Sequence, residues 1–114
     1  LVDLSILNGE LNELIEKEAY RDFYMHRVGH WMGMDVHDVG SYGLNGKWRK
    51  YSPGMITTIE PGIYFKENLK NVPEEYLNIG IRIEDDVLVT EGDPEVLTSS
   101  VPKTIIEIEK VMGS

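Results

Sequence analysis

The three histidines of this 114-residue sequence, His26, His30 and His37, all stand in one stretch, FYMHRVGHWMGMDVHDVG at residues 23–40. Two carboxylates stand out further along. Glu60 ends the alternating run MITTIE and is pinned by the Pro61-Gly62 break, and Glu84 follows Arg82 in GIRIEDD. One imidazole with two carboxylates suits a divalent cation such as Mn, Fe, Co or Zn, and a carboxylate-rich set favours the harder members of that series. Two further imidazoles beside such a centre can donate hydrogen bonds to an oxyanion or shuttle a proton. Each residue alone also has a plainer reading. A glutamate on a strand is usually solvated, and Arg82 with Glu84 can form an exposed ion pair of little energetic consequence. HRVGH has Arg27 where the helical zinc-protease motif needs its glutamate, and Gly29 weakens a helix there. GLNGKW is no phosphate loop, because Ser41 and Trp48 occupy positions where that motif needs Gly and Ser or Thr.

Composition narrows the chemistry further. The formal charge is −9, from 11 basic and 20 acidic side chains. That balance argues against nucleic-acid binding, which concentrates Lys and Arg. There is no cysteine, which excludes thiolate metal sites and disulfides and accords with a reducing, cytoplasmic setting. No apolar run approaches the roughly 20 residues of a membrane span, and no signal-peptide pattern opens the chain. The first residue is Leu1, inside an apolar pattern, so the sequence reads as a piece of something longer.

The elements that must position these residues follow from periodicity. LVDLSILN reads as the tail of an element, Asn8-Gly9 as a turn, and ELNELIEKEAY as a short helix with Leu11, Leu14, Ile15 and Ala19 on one face. Glycines at 29, 33 and 40 argue against a long helix through the histidines, and SYGLNGKWRKYSPGM reads as loop-rich. The period then changes to two. MITTIEPG places Met55, Thr57 and Ile59 on one face and Ile56, Thr58 and Glu60 on the other. NIGIRIEDDVLVT sets Ile79, Ile81 and Ile83 against Gly80, Arg82 and Glu84, with a turn or bulge at Asp85-Asp86. PKTIIEIEKVM closes as a helix with an Ile105, Ile108 and Met112 stripe. The expected fold class is α+β, with a largely antiparallel sheet. Its apolar face is covered by helices, and its polar face, bearing Thr58, Glu60, Arg82 and Glu84, lines a metal site.

Three blocks in order, HRVGHWMGMDVHDVG, PGMITTIEPGIY and GIRIEDDVLVT, resemble the catalytic half of the Xaa-Pro aminopeptidases. These are metallopeptidases of the pita-bread fold. The resemblance runs over almost the whole chain and makes residues 1–114 the carboxyl-terminal part of a pita-bread catalytic domain. It implies two divalent metal ions, Mn first with Zn, Co or Fe as alternatives, and peptide substrates with proline in the second position. It gives His30, Glu60 and Glu84 as metal ligands, with Glu60 also handling the proton of the attacking water and Glu84 bridging both ions. His26 and His37 become the pair flanking the substrate and its tetrahedral intermediate. Arg82 orients acidic ligands, and Tyr42 and Tyr64 line the substrate pocket. The full-length protein is expected to be a cytoplasmic homo-oligomer without nucleic-acid or membrane partners.

One departure from the family pattern bears on activity. Its centre uses five protein ligands, two of them aspartates upstream of the histidine block, and Asp3 and Asp22 do not stand in the matching motif. The isolated chain is therefore expected to be inactive. Prolidase is the nearest rival, but the short spacing from His37 to Pro53 favours the aminopeptidase. Arg82 in GIRIED does not match methionine aminopeptidase. A non-catalytic pita-bread module that binds peptide is a further alternative, although such modules usually lose ligands that are kept here. Without the resemblance, a small metal-binding β-domain would also fit.

Overall fold

The computed structural model describes residues 1–113. In chain order, helix α1 (Leu11–Glu16) precedes strands β1 (Trp31–Met32), β2 (Gly43–Leu44), β3 (Lys47–Trp48), β4 (Ile56–Ile59) and β5 (Gly62–Phe65). A 3₁₀ turn (Glu74–Tyr76) then leads to β6 (Ile79–Arg82), β7 (Asp85–Leu88), β8 (Glu95–Val96) and helix α2 (Ile105–Met112). Every strand pair is antiparallel, as the alternating runs predict. The chain forms two compact units.

The first unit comprises Leu1–Arg27 and Pro61–Arg82. Its core is Ile6, Phe23 and Phe65, with Leu1, Leu7, Leu69, Val72 and Tyr76 packed around them. Phe23 meets Phe65 edge-on at 5.7 Å, the geometry that places a positive ring edge on a negative face. Helix α1 is shorter than its apolar spacing predicts. It stops at Glu16 because the chain turns through a left-handed Glu18, so Ala19 lies outside it. Strands β5 and β6 form a hairpin, with Tyr64 opposite Gly80 and Gly62 opposite Arg82.

The second unit comprises Val28–Glu60 and the segment from Ile83 onward. Its sheet has the order β1-β4-β7-β8. The run from Ile79 breaks after Arg82 rather than at Asp85-Asp86, and resumes as β7. Asp85 and Asp86 do not bulge or turn. They pair in register with Ile59 and Thr58 of β4. Inside the segment expected to be loop, β2 and β3 make a small hairpin around Asn45-Gly46, both with positive φ. That is the pairing a two-residue hairpin turn favours. Helix α2 begins with a capping box in which Thr104 and Glu107 satisfy each other's backbone N–H groups, and it ends at a left-handed Gly113. Its Ile105, Ile108 and Met112 lie on the helix as expected, and all three are exposed.

Candidate metal centre

The short β1 strand is the edge of its sheet, and its pairing with β4 extends upstream through the histidine segment. The Thr58 N–H donates to the His30 carbonyl at 3.0 Å, and the Glu60 N–H donates to the Val28 carbonyl at 2.7 Å. Gly29, between these two bonds, approaches β4 so closely that a Cβ there would overlap the carbonyl oxygen of Thr58. The glycine that breaks the helical reading of HRVGH is what lets the chain pair as a strand. On the other side of β4, Thr58 pairs with Asp86 and Ile59 with Asp85. One further step of that register sets Glu84 against Glu60. Alternation therefore delivers His30, Thr58, Glu60 and Glu84 to one face.

Donor atoms of His30, Glu60 and Glu84 all lie within 4.8 Å of one another. Glu60 is buried, and the other two are half-buried. His30 is oriented by the main chain of the next residue: its Nδ1–H donates to the Trp31 carbonyl at 3.0 Å. In the neutral imidazole this leaves the lone pair on Nε2, which faces Glu60 Oε1 at 3.4 Å. Asp38, in the same segment, accepts from the Val39 N–H through Oδ1. Glu60 is held in turn by Thr58, a fully buried residue whose hydroxyl donates to Oε1 at 2.9 Å and accepts the His30 N–H at 3.0 Å. Two carboxylates this close in a water-poor site repel unless positive charge offsets them. An oriented imidazole with its lone pair free, a fixed carboxylate and a second carboxylate beside it make a donor set that fits a divalent cation.

His37 also belongs to this unit. Its ring lies 4.4 Å from that of His30, and the residue is exposed. Tyr42 is in the same unit, stacked on Trp31 with centroids 5.4 Å apart. The remaining expected residues, His26, Tyr64 and Arg82, belong to the first unit. There His26 Nδ1–H donates to the Arg27 carbonyl at 2.8 Å, and Nε2 meets the Tyr64 hydroxyl at 2.7 Å. With a neutral imidazole the tyrosine is the donor in that second bond.

A family model, metallopeptidase family M24, matches residues 2–91. The chain belongs to metallopeptidase family M24. Among relatives of this M24 chain is the Xaa-Pro aminopeptidase of Haemophilus influenzae, 56% identical over 99% of the chain and 26% of the relative. The structure of Pseudomonas aeruginosa aminopeptidase PepP superposes with a TM-score of 0.94 at 56% identity, over 99% of this chain and 26% of that one. Zn-substituted Escherichia coli aminopeptidase P in complex with product gives a TM-score of 0.90 at 51% identity, over 99% and 25%. At these identities the expected fold is confirmed as that of aminopeptidase P, mixed α and β with antiparallel sheets. The M24 chain spans about a quarter of the length of these relatives.

Trp31 and Thr57 are the residues around the centre that sequence reasoning passed over. Thr57 is buried, and its hydroxyl donates to the His30 carbonyl at 3.0 Å. The signal available was their adjacency to His30 and Thr58, because in a paired strand the neighbours of a ligand fix its backbone. Among the described residues no helix is long and apolar enough to cross a membrane.

Proposed function

We propose that this chain is the carboxyl-terminal part of a dinuclear-metal aminopeptidase that removes the first residue from peptides with proline in second position. The convergence of His30, Glu60 and Glu84 carries the reading, and the names of the relatives at 56% and 51% identity support the substrate class. In the proposal His30, through Nε2, and Glu84 would hold the cations, with Glu84 as the carboxylate shared between them. Glu60 is both a ligand and the acceptor of the attacking water's proton, with Thr58 fixing the oxygen that faces His30. Divalent cations at such a centre supply Lewis acidity and a water acidified to near neutral pH. His37 and His26 serve the substrate and its transition state, Tyr64 its pocket, and Arg82 the orientation of acidic ligands. Proline offers no N–H at the scissile amide, so recognition must rest on its ring and on the carbonyls around it.

The carboxylate-rich donor set favours Mn, with Zn, Co or Fe as alternatives. The same reading makes the full-length protein a cytoplasmic homo-oligomer. It also makes the 114 residues alone inactive, since the family's centre takes five ligands and three are brought together here. The test is an assay of the full-length protein with Mn²⁺ on three substrates: a tripeptide with proline second, its alanine analogue and an Xaa-Pro dipeptide. Cleavage confined to the first is expected. Cleavage confined to the dipeptide would make the protein a prolidase, and binding without cleavage a non-catalytic module.

A further inference from the structure

Pairing of β1 with β4 leaves one residue's backbone pointing away from the sheet. His30 is hydrogen-bonded to Thr58, and Trp31 stands opposite Thr57 at the next, non-bonded position of the antiparallel ladder. Because β1 is an edge strand, the N–H and C=O of Trp31 would otherwise face an open edge. Both are captured. The N–H donates to the hydroxyl of Tyr42 at 3.1 Å. The carbonyl accepts from His30 Nδ1 at 3.0 Å and from the Asp38 N–H at 3.1 Å.

The consequence for His30 is direct. The peptide that joins His30 to Trp31 is gripped at both ends. Its carbonyl accepts from the Thr58 N–H and the Thr57 hydroxyl, each at 3.0 Å, and its N–H donates to Tyr42. The next carbonyl along the chain is the one that fixes the imidazole tautomer. The tyrosine is itself fixed: its ring stacks on the Trp31 indole at an interplanar angle of 17°, while Tyr51 meets the same indole edge-on at 5.6 Å. The Gly40 Cα lies so near that indole that a Cβ there would come within 2.7 Å of it. The aromatic cluster is therefore packed against the backbone that aims His30 Nε2 at Glu60.

We propose that Tyr42 is a positioning residue for the metal centre, acting through the Trp31 backbone on the orientation of the His30 imidazole. This rests on the reading of His30 as a ligand and replaces the expectation that Tyr42 lines the substrate pocket. Removing the hydroxyl leaves the stack in place but frees the peptide N–H, so the Trp31 carbonyl and the ring it holds lose their fixed position. Outer partners of this kind typically change metal affinity by about 10–100-fold.

The experiment compares wild type, Tyr42→Phe and His30→Ala in the full-length protein. Mn²⁺ affinity is measured by titration, and the His30 ring is followed by ¹⁵N NMR of histidine-labelled, metal-free protein. For Tyr42→Phe the expected result is a loss of about 10–100-fold in Mn²⁺ affinity. The Nδ1–H tautomer signal of His30 should give way to a mixture, with KM at saturating Mn²⁺ unchanged. Wild-type Mn²⁺ affinity and an unaltered His30 signal in Tyr42→Phe, with His30→Ala losing metal, would overturn the positioning role and leave the ligand reading intact. Full metal binding by His30→Ala would overturn both. A raised KM with unchanged Mn²⁺ affinity would return Tyr42 to the substrate pocket. Should Tyr42→Phe not fold, 3-fluorotyrosine at position 42 weakens the acceptor without changing its shape, and the same His30 signal decides.

Discussion

Thr58 and Glu60 stand two residues apart on β4 and its extension, and the Thr58 hydroxyl donates to Glu60 Oε1 at 2.9 Å. The threonine is wholly buried, and the carboxylate is 8% exposed. Without this hydroxyl Glu60 loses the donor that fixes Oε1, and the His30 N–H loses its acceptor. Thr58→Val preserves shape and removes the hydroxyl. We expect it to lower Mn²⁺ affinity about 10–100-fold, as for other partners that orient a ligand. It should also lower stability by about 1–3 kcal/mol, the cost of an unmet buried group. Metal titration and urea unfolding read the two effects separately.

Gly29 is the next test of how the centre is built. A methyl group there meets the Thr58 carbonyl, which is backbone and cannot swing aside. Gly29→Ala should separate β1 from β4 and cost about 1–3 kcal/mol, the range for overpacking. Metal affinity should fall as well, because His30 and Glu60 reach each other across that pairing. Unchanged unfolding and metal binding would mean that the strands are not as close as described.

The sequence carried the strand periodicity well and its partners poorly. Alternation through MITTIE located β4 and placed Thr58 and Glu60 on one face, because a period of two survives any register. The break after Arg82 was hidden, since alternation alone cannot say where a chain leaves one hairpin for another sheet. Asp85 and Asp86 looked like turn residues but pair within β7, where Thr98 and Lys103 satisfy the Asp85 carboxylate. The partner of His30 Nδ1 is a main-chain carbonyl, which no residue type signals. Asn45-Gly46 was the one missed hairpin with a readable signal.

The capping box of α2 gives a pH prediction independent of metal. Hydrogen bonds from the Thr104 backbone N–H, its hydroxyl and the Lys103 N–H hold the Glu107 carboxyl below its ordinary value. The folded pKa is depressed, so the stabilisation is complete above the unfolded value, roughly 4.3, and is lost as pH falls through the lower folded value. The helicity of residues 105–112, followed by NMR, should exceed that of Glu107→Gln at pH 7 and converge with it in acid. A difference that persists undiminished below the carboxylate range would contradict this.

The three histidines should divide by behaviour. In the full-length protein His30→Ala is expected to lose metal and turnover together. His26→Ala and His37→Ala should keep metal while kcat falls about 10²–10³-fold, the usual cost of a transition-state donor. Metal analysis beside steady-state kinetics on the three variants checks the division. Metal loss from His37→Ala with retention in His30→Ala would reverse the assignment.

The most direct measurement is the metal content of the full-length protein and its Glu84→Ala variant after equilibrium dialysis against Mn²⁺. Glu84 is the carboxylate proposed to bridge, and its donor atom lies within 4.8 Å of those of His30 and Glu60. The expected result is two Mn²⁺ per wild-type chain, with loss of bound metal and of Xaa-Pro cleavage together in Glu84→Ala. Two ions per chain and an undiminished rate in Glu84→Ala would contradict a centre built from these three residues.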